Sequence, residues 1–410
     1  MTWQAKAALI LIVLALTVAL LEVAVKTLQK RHRGIVAAAP QALRDRFVAW
    51  RLNPNYRRVD IQHTRGGFRR TGEVSIVKPP GTVRILLLGG SAVYGAQGAY
   101  PQIEGRYSRI YNHELIDASL ERKLGELYPQ TSWEVINCAS SGYRVHQQLA
   151  LLQSRLLRYH PDFVLLIDGY NDFIQLYNDA RTHPGVEFDV YENTAGLQEF
   201  DDLANPGSFR SLMTFGGAWL RANSALVRAL QGRIYGIVRN PWQGREAKAA
   251  RMVSNPPLLS DLTPEERLGA ATALSNGRYY VHTVRQIHRL LTLDGIKPIF
   301  CLQPILILSG KRLTDSERSL AQYEREHGGP LYHYLFRQMY NEWNRELVEA
   351  SRLDNFEYMN LQDVFDDFEG QAFTDFAHLT PDGNSVIADR IKVAVCNHMA
   401  ALALTHRALG

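Results

Sequence analysis

The chain has 410 residues, of which 46% are hydrophobic and 21% charged, and it carries a formal net charge of +5 at pH 7. This is an ordinary globular composition, long enough for two or three average domains or for one α/β domain with a large insertion. The three cysteines lie far apart and suggest neither a disulfide framework nor a metal site, and we expect no metal and no organic cofactor.

A long apolar segment opens the chain. Residues 7–25 form a run of nineteen residues with one charged member, Glu22, and about 20 apolar residues are enough to span a bilayer. We therefore expect residues 1–25 to be a transmembrane helix that anchors the protein. A cleaved signal peptide is the alternative interpretation, but no convincing small-x-small cleavage site precedes the basic residues that follow.

The next segment is strongly basic. Residues 26–70 contain twelve Lys or Arg against two Asp, a local excess of ten positive charges. This pattern predicts a juxtamembrane stalk over residues 26–80 that rests on anionic lipid. No nucleic-acid-binding motif accompanies the charge, so no nucleic-acid partner is expected, whereas an anionic polymer as substrate or partner stays open.

Two observations disagree on membrane orientation. The positive-inside rule, applied to the Lys and Arg that follow residue 25, would keep the main domain in the cytoplasm. Long domains translocate despite flanking charge, however, and a lone N-terminal anchor is typical of many exported enzymes. We expect a single-pass membrane protein whose catalytic domain is extracytoplasmic, in the periplasm.

The body of the chain, residues 81–410, alternates short apolar runs with helical periodicity. The runs predict five strands, at Val83–Leu88, Trp133–Asn137, Phe163–Ile167, Pro298–Leu302 and Phe356–Asn360. Apolar spacing and capping residues predict helices over residues 113–128, 144–159, 263–293, 331–352 and from 381 to the end. This order predicts a three-layer α/β/α sandwich with a five-stranded, mostly parallel sheet. Over residues 173–261 the periodicity fades, and we expect an insertion that covers or flanks the site.

Ser91 follows the first predicted strand, directly after Gly89 and Gly90. Ligands of open α/β sheets bind beyond the carboxyl ends of the strands, so this serine is a candidate nucleophile. Its surroundings match neither the dinucleotide fingerprint nor the phosphate-binding P-loop. The nucleophile elbow of α/β-hydrolases requires glycine two residues after the serine, where this chain has Val93. If Ser91 is a nucleophile, it belongs to another scaffold.

Three further residues are expected at the same sheet edge. Asp375 and His378 are three positions apart, so the carboxylate can accept the Nδ1 proton and leave Nε2 free as the base that a serine nucleophile needs. The backbone N–H of Gly142, after the second strand, and the side-chain amide of Asn171, after the third, are candidate donors to a developing oxyanion.

These four loops together resemble the SGNH hydrolases, also called the GDSL family. The matching blocks are Gly90-Ser91, Gly142 in N-C-A-S-S-G, G-Y-N-D from Gly169 to Asp172, and D-x-x-H-L from Asp375 to Leu379. The resemblance covers the chain from about residue 83 to its end, without the insertion, and implies a flavodoxin-like fold. The first block departs from the family pattern, since Gly90 stands where the family often has Asp.

The resemblance implies a role for each matched residue. Ser91 would be the nucleophile, His378 the general base and then acid, and Asp375 the residue that orients it. The backbone N–H groups of Ser91 and Gly142 and the side chain of Asn171 would form the oxyanion hole.

We therefore expect a membrane-anchored serine esterase that hydrolyses O-acyl esters of a carbohydrate or lipid-like substrate through an acyl-enzyme. Two alternatives stay open. An O-acyltransferase of cell-surface polysaccharide would use a sugar hydroxyl in place of water. A glycan-binding or assembly protein would keep the fold without turnover.

Overall fold

The computed structural model describes residues 41–54, 56–96, 109–185 and 257–408, together with Trp3, Thr17, Leu20 and Leu21. From residue 42 onward, the described residues belong to one compact unit that comprises residues 42–191 and 250–410. Most of the expected insertion lies outside the described residues, although its first ten positions belong to a regular helix that ends at Thr182.

The strands and helices follow the alternation that the sequence predicts. The strands are β1 (Ala42–Asp45), β2 (Ala49–Leu52), β3 (Thr82–Gly89), β4 (Ser132–Asn137), β5 (Phe163–Asp168), β6 (Lys297–Leu302) and β7 (Glu357–Asn360). The helices are α1 (Ser91–Tyr94), α2 (Ile116–Leu127), α3 (Val145–Leu151), α4 (Tyr170–Thr182), α5 (Pro264–Leu293), α6 (Asp315–Asp354) and α7 (Pro381–Ala408).

Five of the strands form one parallel sheet in the order β4-β3-β5-β6-β7, while β1 and β2 form a separate antiparallel hairpin. The predicted five-stranded sheet is confirmed, and each strand boundary lies within one residue of its expected position. After β3 the chain forms β4 on one side of β3, and it then crosses over to form β5 on the other side. Such a switch point opens a crevice at the carboxyl ends of β3 and β5, where α/β proteins bind their ligands.

Helices cover both faces of the sheet because side chains of each strand alternate between two cores. Ile85 and Leu87 of β3 pack in a cluster with α2 and α7, and Leu86 and Leu88 pack in a second cluster with α3, α4 and α5. All four side chains are fully buried, as expected for a central parallel strand.

Two of the long helices begin at capping boxes. Thr263 Oγ1 accepts a hydrogen bond from Glu266 N at 3.2 Å, while Glu266 Oε2 accepts one from Thr263 N at 2.9 Å. Helix α6 differs from expectation, because it begins at residue 315 rather than near 331. It bends at Gly329, whose φ is 75°, next to Pro330. Proline lacks the N–H that continues a helix and restricts the residue before it, so the chain kinks there instead of starting a helix.

The structure corrects the expectation of a single-pass membrane protein with a periplasmic domain. Among the residues that it describes, no helix combines the length and the apolar composition needed to cross a bilayer. The long helices α5 and α6 carry charged residues throughout, which a bilayer core does not accept. The expected anchor, residues 1–25, lies outside the described residues except at Trp3, Thr17, Leu20 and Leu21.

The residues from 41 to 80, which were expected to form part of a stalk, contribute to the core instead. Val48, Ile61 and Phe68 are at most 4% exposed. Arg69 is fully buried, so at this position a basic side chain serves the interior of the domain and not a lipid surface.

Candidate active site

Ser91 is the first residue of α1 and follows β3 after Gly90. Its backbone N–H has no acceptor within the helix, as for any first helical residue. A Cβ at Gly90 would collide with Asn171 Nδ2. Any side chain at position 90 would therefore displace the Asn171 amide from its place in this structure.

The other end of α1 is held by Arg69. Its Nη1 donates to the carbonyl oxygens of Tyr94 and Gly95, both at 2.7 Å, and its Nη2 donates to Ile110 O at 2.6 Å. The last carbonyls of a helix lack intrahelical partners, and a buried guanidinium satisfies several at once. The short helix that begins with Ser91 is thus fixed by a residue of the expected stalk.

The loop after β4 contains a tight turn from Ser140 to Tyr143. Tyr143 N donates to Ser140 O at 3.1 Å, and Gly142 has a φ of 80°. Ser140 N in turn donates to Gly89 O at 3.2 Å, and Asn171 Nδ2 donates to Tyr143 O at 2.8 Å. These bonds bring the loops after β3, β4 and β5 together at the switch point of the sheet.

Two buried carboxyl groups flank Asn171 in the sequence, Asp168 at the end of β5 and Asp172 in the first turn of α4. Asp168 accepts a hydrogen bond from Gln148 Nε2, and Asp172 accepts one from the hydroxyl of Tyr279. Burial raises the pKa of Asp168, and it raises that of Asp172 to about 6, although the Tyr279 hydroxyl opposes the shift. Together with the Val145 N–H, which also donates to Asp172, these hydrogen bonds tie the start of α4 to α3 and α5.

Asp375 and His378 form a hydrogen-bonded pair. His378 Nδ1 lies 2.7 Å from Asp375 Oδ2, and Asp375 Oδ1 accepts the backbone N–H groups of Ala377 at 2.9 Å and of His378 at 2.8 Å. Burial alone would raise the pKa of Asp375, but the His378 charge and these hydrogen bonds outweigh it and lower the pKa to about 2. The carboxylate is therefore ionised near neutral pH and holds the Nδ1 proton.

The segment that carries this pair is fastened to the carboxyl end of β6. Leu306 N donates to Phe376 O at 3.0 Å, and Gln303 Nε2 donates to Ala377 O at 3.1 Å. The rings of Tyr170 and Phe376 lie 6.2 Å apart, which connects this segment to the start of α4. His378 is thus carried to the same sheet edge as Asn171.

His378 Nε2 is buried and has no hydrogen-bond partner among the residues that the structure describes. The structure therefore contains no hydrogen bond between this nitrogen and Ser91 Oγ. In unliganded enzymes such bonds are often long and tighten only when substrate binds. The arrangement leaves one imidazole nitrogen oriented by a carboxylate and the other open to accept a proton.

A buried ion pair supports the segment from the side of α6. Lys311 Nζ lies 3.2 Å from Glu317 Oε2, and both side chains are fully buried. Glu317 Oε1 also accepts the N–H groups of Ala372 at 2.8 Å and Phe373 at 3.2 Å. The carboxylate thereby connects the first turn of α6 to the chain just before Asp375.

Replacing Lys311 with methionine is expected to lower the free energy of unfolding by about 3–5 kcal/mol, because Glu317 would remain buried and charged without a cation to balance it. Urea denaturation measures the change. Lys123→Met is the matched control, since its partner Asp389 is half exposed and such pairs contribute about 0–1 kcal/mol. Equal effects of the two variants would show that the buried pair does not support this segment.

Glu324 is a second buried carboxyl group near the pair. Its Oε1 accepts a hydrogen bond from Tyr332 at 2.7 Å, and its Oε2 has no partner among the described residues. Burial raises the pKa of Glu324 to about 8; the Tyr332 hydroxyl lowers it and the Asp375 charge adds to the rise. Glu324 is therefore largely protonated at neutral pH, so it adds no further negative charge beside Asp375 and His378.

The folded state holds the proton on Glu324 to a higher pH than the unfolded state, so the free energy of unfolding falls as pH rises from about 4.5 to about 8. The glutamine of the Glu324→Gln variant cannot ionise, so the free energy of unfolding of this variant is expected to fall less over the same range. The difference from the wild type is up to about 5 kcal/mol, at about 1.4 kcal/mol per pKa unit. Urea denaturation at both ends of the range measures this, with the exposed Glu326→Gln as control. A wild-type pH dependence in Glu324→Gln would contradict the expectation.

Two residues near the site were missed by sequence reasoning. Trp50, in β2, donates from Nε1 to Ser141 O at 3.2 Å, next to Gly142. The alternation of Val48, Trp50 and Leu52 was the available signal, but it lies among basic residues. Glu324 left no signal, because its burial depends on the tertiary packing of α6.

Within the described part of the chain, no group of three or more His, Cys, Asp or Glu side chains could hold a metal ion. A cavity of about 440 Å³ lies along the edge strand β4, lined among others by Arg70, Asp117 and Trp133. It is separate from Ser91, Asn171 and the Asp375 pair.

No protein-family model and no curated protein matches this chain. Solved structures do match at low identity. They include the acetyl xylan esterase AlAXEase, with 11% identity over 76% of this chain and 100% of that one, and a TM-score of 0.38. The acetylxylan esterase Axe2 from Geobacillus stearothermophilus has 12% identity over 75% and 91% of the two chains, and a TM-score of 0.35. LAE5, an alpha/beta hydrolase enzyme from the metagenome of Lake Arreo, Spain, has 12% identity over 76% and 94%, and a TM-score of 0.34. At these TM-scores the similarities carry no argument about function.

Proposed function

We propose that the protein is a serine esterase that hydrolyses O-acyl esters of a carbohydrate or lipid-like substrate through an acyl-enzyme on Ser91. One observation carries this proposal. Asp375 accepts the Nδ1 proton of His378 and leaves Nε2 without a partner among the described residues, on the sheet edge where Ser91 follows β3. The buried Asp375 carboxylate at 2.7 Å from Nδ1 supports this role, because it gives the imidazole the tautomer and orientation that a general base needs.

The proposed reaction begins with attack of Ser91 Oγ on the ester carbonyl carbon while His378 Nε2 takes the hydroxyl proton. Negative charge then develops on the carbonyl oxygen, and the N–H groups of Ser91, Gly142 and the Asn171 amide stabilise it. Collapse breaks the bond to the alcohol, which receives the proton from His378. A water molecule then attacks the acyl group by the same steps in reverse and frees Ser91.

Asn171 suits this role because its amide has two hydrogens. One is donated to Tyr143 O at 2.8 Å, which fixes the plane of the amide. The second hydrogen then has a fixed direction and stays available to the substrate oxygen. A donor held in place before the reaction stabilises the transition state without reorganisation.

The proposal is tested with purified full-length protein, p-nitrophenyl acetate and an acetylated oligosaccharide. The expected result is release of p-nitrophenolate and of acetate at a rate proportional to enzyme concentration. Transfer of the acetyl group to an added sugar in preference to water would identify an O-acyltransferase. Failure to turn over either ester, together with no labelling by a fluorophosphonate, would overturn the proposal and favour a binding protein.

A further inference from the structure

The hairpin β1–β2 reaches the candidate active site through one side chain. Trp50 lies in β2, and its indole Nε1 donates to the carbonyl oxygen of Ser141 at 3.2 Å. A Cβ on Gly142 would lie 3.3 Å from Cζ2 of the same indole, so the ring packs directly against this glycine. On the other side, the Tyr143 hydroxyl donates to Trp50 O at 2.5 Å. The hairpin and the turn are therefore tied together at three points.

The turn itself has two accessible forms. Residues 140 to 143 are closed by the bond from Tyr143 N to Ser140 O, and the positive φ of Gly142 at the third position is that of a type II turn. The type I turn has the same closing bond but a negative φ at this position. Glycine adopts either sign readily, so residue 142 alone does not select between them.

The two forms differ in the direction of one peptide group, the one that joins Ser141 and Gly142. This group contains the carbonyl that Trp50 binds and the N–H that would stabilise the oxyanion. In a trans peptide these two groups point in opposite directions. Rotation from type II to type I would exchange them, turning the N–H away and bringing the carbonyl oxygen toward the substrate oxygen. A carbonyl there would repel the developing negative charge.

We propose that Trp50 is a positioning residue for catalysis, because its indole N–H holds the Ser141 carbonyl and thereby keeps the Gly142 N–H directed into the oxyanion hole. This inference rests on the proposed function, since it assigns a purpose to the turn only if an oxyanion forms there. The hydrogen bond acts only on the orientation of one donor. It contributes nothing to substrate binding before the charge develops.

Trp50→Phe tests the inference, because phenylalanine keeps an aromatic ring beside Gly142 and removes the N–H. With p-nitrophenyl acetate, kcat is expected to fall about 10- to 100-fold, less than the about 10²–10³-fold loss typical for removing a donor, while KM changes less than twofold. The rate of fluorophosphonate labelling is expected to fall in parallel, because that adduct uses the same donors.

The matched control is Trp343→Phe, which removes an indole bond of the same kind, from Trp343 Nε1 to Gly277 O at 2.8 Å, far from the turn in sequence. It is expected to lower stability and leave kcat of the folded enzyme unchanged. If Trp50→Phe does not fold, benzothienylalanine at position 50 replaces the N–H by sulfur without changing the shape of the ring.

Two results would overturn the inference while Ser91-dependent hydrolysis by the wild type persists: an unchanged kcat, or a loss confined to KM. A crystal structure of the Trp50→Phe variant gives an answer that does not depend on activity. The inference predicts a rotated Ser141–Gly142 peptide or a mixture of both orientations, and a single wild-type orientation contradicts it. Failure of the proposed function itself would be seen in a different result: the wild type would not hydrolyse the ester, or would hydrolyse it no faster than Ser91→Ala.

Discussion

Replacement of Ser91 by alanine is expected to lower kcat for ester hydrolysis by about 10⁶-fold. In serine hydrolases the nucleophile and its base act as a unit, so losing the hydroxyl removes nearly the whole contribution of the pair. What remains comes from binding and from the oxyanion donors, which the substitution leaves in place. Steady-state release of p-nitrophenolate measures the loss, and KM is expected to change little.

Ser154→Ala is the control for this variant. Ser154 lies after α3, and its hydroxyl donates to Ala150 O at 2.6 Å on the protein surface. Its removal is expected to leave kcat unchanged. If Ser91→Ala kept more than about 1% of the wild-type kcat, another group would have to be the nucleophile, because no such residual rate is available without one.

Replacement of Asp375 by asparagine is expected to lower kcat by about 10⁴-fold, although the geometry is nearly preserved. The asparagine oxygen still accepts the backbone N–H groups of Ala377 and His378. Its amide nitrogen, however, faces His378 Nδ1 and donates to it, so the imidazole must carry its proton on Nε2. A protonated Nε2 cannot accept the proton of Ser91, and the base is lost.

The control for this variant is Asp367→Asn, on the exposed loop that follows β7. Both variants remove one carboxylate from the same stretch of chain, but Asp367 is exposed, and the carboxylate bonded to His378 Nδ1 is that of Asp375. An Asp375→Asn enzyme with kcat within about tenfold of the wild type would show that the carboxylate does not select the tautomer. His378 would then need another orienting group.

The sheet was predictable because its signal is local. The run from Val83 to Leu88 is too short for a typical helix and is apolar at nearly every position, which buried parallel strands require. The capping box of Thr263 and Glu266 likewise needs only four consecutive residues. The hydrogen bond between Asp375 and His378 also spans only three positions, a separation at which two side chains can meet within one turn of chain.

Other features depend on contacts between distant parts of the chain and left no local signal. Arg69 counts as a surface charge in any sum over the sequence, yet it is buried against the carbonyls that end α1. The basic residues around Trp50 likewise suggested a stalk. A count of charges does not show which side chains are buried. The indole that donates to the Ser141 carbonyl likewise comes from about ninety positions earlier in the chain.

The central claim is that an acyl group is carried on Ser91 Oγ during turnover. The most direct measurement is rapid acid quenching of the enzyme during hydrolysis of p-nitrophenyl acetate, followed by mass spectrometry of its peptides. We predict an acetyl group on the peptide that contains Ser91, which disappears in Ser91→Ala. Turnover with no acetyl group on that peptide, or with the group on a different residue, would contradict the claim.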